Sequence, residues 1–181
     1  AATMAWHHSE PVADPCTDEQ NVKNFNALIL QLHLRNFLVW HAEEKARQTD
    51  VPDAEIVACK RETDALNQER NEHIERIDSL LVGLLMHHLP VASSGRQNTE
   101  TVGMVVDRLS LLALKIYHMD KQIRRNDVAE EYKANYRGEL AVLYKQRADL
   151  LQALMELIDD YSTGVKVPVL YHQFKMHNAP L

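Results

Sequence analysis

The chain has 181 residues, enough for one hydrophobic core and few for two. Hydrophobic residues make up 45% and charged residues 25%, which is ordinary globular usage, and five glycines are too few for a turn-rich β fold. A net charge of −6 with a pI near 5.9 excludes the basic surface that non-specific nucleic-acid binding needs, though a local anion pocket stays open.

Residues 1–16 contain Pro11 and Pro15 and read as an arm outside the main body. The first long helix is predicted from about Asp18 to Gln48, opened by a capping box of Thr17 and Gln20. Its inward face is read as Val22, Phe25, Asn26, Ile29, His33, Asn36, Phe37 and Trp40, at alternating three- and four-residue steps. A break at Thr49–Asp53 carries Pro52, which suits the first turn of a helix, and Asp53 and Glu55 suit its positive end. The second helix is predicted to reach about His87, with the stripe Ile56, Cys59, Thr63, Leu66, Arg70, Ile74, Ile77, Leu81 and Leu84.

Residues Pro90 to Gln97 hold Pro, Ser-Ser and Gly, which is loop chemistry. The third helix is predicted from about Thr99 to Arg125, capped by Asn98 or Thr99, and is apolar over so much of its circumference that it reads as the most buried element. Asp127 with Glu130 marks the start of a fourth helix that runs to about Ser162, facing inward with Tyr132, Tyr136, Leu140, Leu143, Arg147, Leu150, Leu154, Leu157 and Tyr161. Gly164 is a C-terminal stop. Residues 165–181 form a tail with apolar Val169, Leu170, Tyr171, Phe174 and Met176, expected to pack on the body. The fold expected is all-α, one domain, an antiparallel bundle of four long helices with an extended C-terminal tail.

No apolar run approaches the roughly 18 residues of a membrane span. The N-terminus lacks the basic and apolar regions of a signal peptide. Cys16 and Cys59 are too few for a disulfide framework and read as free thiols of a reducing compartment, so the expected location is cytoplasmic.

The informative feature is the polar residues on the apolar stripes. Arg70 sits mid-stripe on the second helix beside Asn67 and Asn71, Arg147 mid-stripe on the fourth, and Asp120 on the third. His33, Asn26 and Asn36 lie on the first. Each costs several kcal/mol if buried without a partner. Two readings follow: a buried Arg–Asp–Asn network that fixes helix register, or an interhelical pocket for an anion such as a sugar-phosphate, which the planar fork of arginine suits.

Ten histidines raise the question of a metal, but neither Glu-x-x-His nor His-Glu-x-x-His occurs. His41 and Glu44 are a single pair one turn apart, and Trp6-His7-His8 and His87-His88 are adjacent pairs that would point to different faces. No metal and no cofactor are therefore expected. Nucleophile elbows, a P-loop and a Rossmann glycine pattern are absent too, so no catalytic motif is found.

Three stretches carry a family resemblance. They are Lys60-Arg61-Glu62-Thr63-Asp64-Ala65-Leu66-Asn67-Gln68-Glu69-Arg70-Asn71 with Ile74-Glu75-Arg76-Ile77-Asp78; Glu100-Thr101-Val102-Gly103-Met104 running into Asp107-Arg108-Leu109-Ser110 and Leu114-Lys115-Ile116-Tyr117-His118; and Tyr171-His172-Gln173-Phe174-Lys175-Met176. Together they resemble the bacterial, all-helical family named domain of unknown function 4254, from the first long helix onward. Val102 stands where the pattern carries proline, and Thr63 where it carries isoleucine. The resemblance implies no activity; it implies an association with cell-envelope polysaccharide glycosyltransferases. It marks Asn67, Arg70, Asp107, Arg108, Lys115 and His118 as the family-type polar residues.

The function expected is a binding or accessory protein rather than an enzyme, oligomeric, partnered by a glycosyltransferase or another envelope-biosynthesis protein. The alternative is an enzyme or sensor for a phosphorylated sugar or nucleotide-sugar. The candidate ligand residues are Asn67, Arg70, Arg108, Lys115, His118, Arg147, Trp40 and His33.

Overall fold

A computed structural model describes residues 1–13, 22–85, 87–90 and 95–174. The proposed capping box at Thr17 and Gln20, Cys16, and Lys175-Met176 lie outside them. The architecture is all-α: a short helix α1 (Ala2–Trp6) and four long ones, α2 (Val22–Ala46), α3 (Asp53–Leu85), α4 (Val102–Ile123) and α5 (Glu130–Ser162). Ion pairs Arg35–Glu69 and Lys45–Glu55 set α2 and α3 antiparallel. Arg70–Asp107 and Asp78–Gly103 do the same for α3 and α4. No helix among the described residues is long and apolar enough to cross a membrane.

The ends follow local chemistry, with two shifts from the sequence reading. Asp53 and Glu55 occupy the first turn of α3, and Gly164 closes α5 with a φ of 72° that side-chain-bearing residues rarely adopt. The cap of α4 is Thr101, not Asn98 or Thr99: its hydroxyl accepts the Met104 amide at 3.2 Å, while Asn98 donates to the Glu100 carbonyl. Asp127 does not cap α5, because Arg125 grips its carboxylate at 2.9 and 2.6 Å; the helix starts at Glu130.

One core cluster joins Leu28 and Leu32 of α2 to Ile74, Ile77 and Leu80 of α3. Burying each aliphatic side chain contributes about 1.5–3 kcal/mol. Asn24, Leu28 and Leu32 of α2 are buried along with His33, Asn36 and Phe37 of the predicted stripe, whereas Val22 and Asn26 of that stripe are exposed. A second cluster seats Trp6 of α1 against Phe37 and Leu114, so the start of the predicted arm is a helix packed into the core. A third joins Val102 of α4 to Leu157 and Tyr161 of α5.

The four long helices pack as the expected antiparallel bundle, with α5 set to one side of it. The C-terminal turns of α5 meet α4 and Leu81 of α3, and along the rest of its length α4 is its helical neighbour. Tyr132 and Arg147, read as inward, are exposed. The chain after α5 returns over the body. The Val167 amide donates to the Arg96 carbonyl, and His172 and the Gln173 amide both meet the Glu75 carboxylate. Leu170 and Phe174 of this segment face solvent.

The crossing of α3 and α4 is close enough to require a glycine. A Cβ at Gly103 would lie 2.5 Å from the Ile74 carbonyl oxygen, whereas one at Gly138, on the open side of α5, meets nothing within 4 Å. Alanine at position 103 is expected to destabilise by about 1–3 kcal/mol through overpacking. Alanine at 138 is expected to stabilise by about 0.5–1 kcal/mol through helix propensity. Urea unfolding of both variants checks the opposite signs.

Candidate functional site

A buried polar layer crosses the body where α2, α3 and α4 meet. Arg70 donates from Nε to Asp107 Oδ1 at 2.7 Å and from Nη2 to Oδ2 at 2.6 Å, a two-pronged pair in which Asp107 is only 4% exposed. Arg70 Nη1 also reaches Asn67 Oδ1 at 3.2 Å. Asn36, fully buried, donates to Asp107 at 2.9 Å and to Ser110 Oγ at 3.0 Å. Ser110 meets His33 Nδ1 at 2.8 Å, and His33 Nε2 meets Thr3 Oγ1 at 2.8 Å. Hydrogen bonds thus run continuously from Arg70 to α1.

This layer corrects two sequence readings. The acidic partner of Arg70 is Asp107 and not Asp120, which pairs with Arg124 one turn on. Asp107 lies off the predicted stripe because α4 packs on two sides, against α2 and α3 on one and α5 on the other. Arg147 takes no part in the layer: it is exposed, with its guanidinium 5.2 Å from the Tyr144 ring centroid. The carboxylate of Asp107 holds the Arg70 guanidinium more firmly protonated than usual. All three guanidinium nitrogens of Arg70 thus meet a partner, Nε and Nη2 on Asp107 and Nη1 on Asn67.

The remaining candidates fall around α4. Arg108 is ion-paired to Glu100 at 2.6 Å. With Lys115, Gln146, Asp149 and Leu150 it lines an open groove of about 510 Å³ between α4 and α5. On another side of α4, a cleft of about 540 Å³ is lined by Met4, His8, Lys121, Arg124, Tyr144 and Arg147. Among the described residues Arg147 has no carboxylate partner.

His118 and Trp40 belong together, their rings stacked with centroids 4.5 Å apart. Beside them lie two residues outside the predicted set, His7 and His41. His7 Nε2 is 3.3 Å from His118 Nε2, and one ring nitrogen from each of His7, His41 and His118 lies within 4.8 Å of the others. Tyr117 stacks on His7 at 3.9 Å and Phe37 packs edge-on against His7 and His41. Burial pushes His118 down to about 4, and also lowers His7. No spacing motif announces this cluster, because its members come from three different helical segments.

The profile of a family described as "Protein of unknown function (DUF4254)" matches residues 26–169. No curated protein and no solved structure gives a match to this chain.

Proposed function

Since the chain belongs to the DUF4254 family of proteins of unknown function, we propose a function from its own surface: a binding and accessory protein that self-associates through α5. One observation carries this reading. The helix bears a second stripe, about a quarter turn from the one that meets α4, and every member of it is exposed: Arg137, Ala141, Tyr144, Ala148, Leu151 and Met155, ending at Asp159. The three- and four-residue spacing is that of a helix-pairing seam.

The stripe is complementary to itself in the antiparallel sense. About a two-fold axis at Ala148, Arg137 meets Asp159, Ala141 meets Met155, and Tyr144 falls beside Leu151. Opposite charges close both ends, Ala141 makes room for Met155, and the small Ala148 lets the helices approach at the axis. A second copy of this chain is therefore the occupant that fits, through an isologous contact. Such a dimer would present two α4–α5 grooves to a further partner, and the partner proposed for them is a glycosyltransferase or another protein of bacterial envelope-glycan synthesis, met in the cytoplasm.

Light scattering coupled to size exclusion tests it. Wild type is expected to run as a dimer. Leu151→Glu with Met155→Glu is expected to run as a monomer of unchanged helicity. Arg137→Glu should weaken the dimer, and Arg137→Glu with Asp159→Arg should restore it. A monomeric wild type, or a charge swap that restores nothing, rejects the interface. The unpaired Arg147 in the cleft beside α1 favours a second reading, a sensor for a phosphorylated sugar. A melting-temperature rise with phosphorylated sugars that Arg147→Met abolishes would favour that one.

A further inference from the structure

We propose that His7, His41 and His118 bind a first-row divalent cation, zinc by preference, which pins α1 to α2 and α4. The geometry carries the assignment. Two ligands about 2.05 Å from one tetrahedral ion stand about 3.3 Å apart, and the Nε2 atoms of His7 and His118 are 3.3 Å apart. The ring centroids of His7 and His41 are separated by 5.1 Å, and those of His41 and His118 by 5.8 Å. One ion can therefore be reached by all three rings.

The outer contacts orient the rings as ligands. His7 Nδ1–H donates to the Thr3 carbonyl at 2.6 Å, and a carbonyl can only accept. That fixes the tautomer and leaves a lone pair on Nε2. His41 Nδ1 donates to the Glu44 carboxylate at 3.2 Å, the carboxylate–histidine arrangement that raises ligand basicity. Trp40 holds the His118 plane by stacking. In the absence of an ion, the two facing Nε2 atoms hydrogen-bond only if His118 carries its proton on Nε2.

Neutral imidazole is the ligating form. Imidazole donors suit zinc, copper and nickel rather than magnesium or calcium. Three protein ligands leave the fourth tetrahedral position to water or an exogenous ligand. The aromatic wall of Phe37, Trp40 and Tyr117 shields the remaining sides.

The test uses the full chain without an affinity tag, stripped with EDTA and titrated with ZnCl2 by isothermal calorimetry. One equivalent is expected to bind and to raise the melting temperature. His7→Gln, His41→Gln and His118→Gln should each weaken binding at least tenfold and remove the zinc-dependent rise. His8→Gln, outside the cluster, should bind as wild type. His41 is half-exposed, so His41→Gln in EDTA should melt with metal-free wild type, separating loss of the ion from loss of the fold. The assignment is overturned if wild type takes up no stoichiometric zinc, if all three variants bind as wild type, or if His8→Gln loses binding equally.

Discussion

Replacing Arg70 with methionine is expected to destabilise the protein by about 3–5 kcal/mol, because it strands a carboxylate in the core. Asp107 receives two bonds from the Arg70 fork and one from Asn36, and its side chain is nearly inaccessible to water. With the guanidinium gone, Asn36 alone cannot compensate a buried negative charge. Arg70→Met combined with Asp107→Leu should recover most of the loss, since well-packed apolar pairs often match or exceed buried ion pairs. Arg70→Met combined with Asp120→Asn should recover nothing, because Asp120 answers to Arg124. Denaturant unfolding of the two singles and two doubles measures the coupling. A single variant within 1 kcal/mol of wild type would show that Asp107 is not desolvated.

Acid should unfold the protein over the range in which histidines titrate. Burial lowers His33 from 6.5 to about 4. The folded state therefore favours neutral His33. Its contribution is fully present above pH 6.5, falls as the unfolded chain takes up a proton below that value, and is exhausted near pH 4. Each such proton gives a slope of about 1.4 kcal/mol per pH unit, and the whole span for His33 is about 3 kcal/mol.

His118 adds in the same direction, though its greater exposure screens it. His73 and His7 do so as well. Asp78, whose carboxyl burial pushes up, opposes them by favouring the protonated folded state. Unfolding free energies measured from pH 7 to 4 in EDTA should fall steeply. His33→Gln, whose amide can still bond Thr3 and Ser110, should lower the slope by about one proton. A flat profile, or an unchanged slope in the variant, would contradict the burial of a neutral His33.

Periodicity and breakers were enough to read the four long helices and their spans to within a few residues, but not the short α1 at the start of the predicted arm. Pro52, Asp53 and Gly164 act on their own turns, and such signals are local. The resemblance carried by Asn67–Arg70 and Thr101–His118 belongs to the same class, since contiguous residues spell it. The cap of α4 was misplaced because Asn98, Thr99 and Thr101 all carry capping chemistry, and only the path of the loop selects among them.

By itself, then, the sequence determined that this is an all-α protein of four long helices, with polar residues at Arg70 and His33 that cannot be buried alone. Only the tertiary structure decided their partners. A stripe defines which face of a helix is covered but not which neighbour covers it, and α4 has two packed faces, so Asp107 replaced Asp120. It also decided that α5 is covered on one side, leaving a second stripe exposed. And it decided that His7, His41 and His118 meet, because convergence of three separate helical segments depends on how the helices are rotated and stacked, which no spacing within a segment encodes.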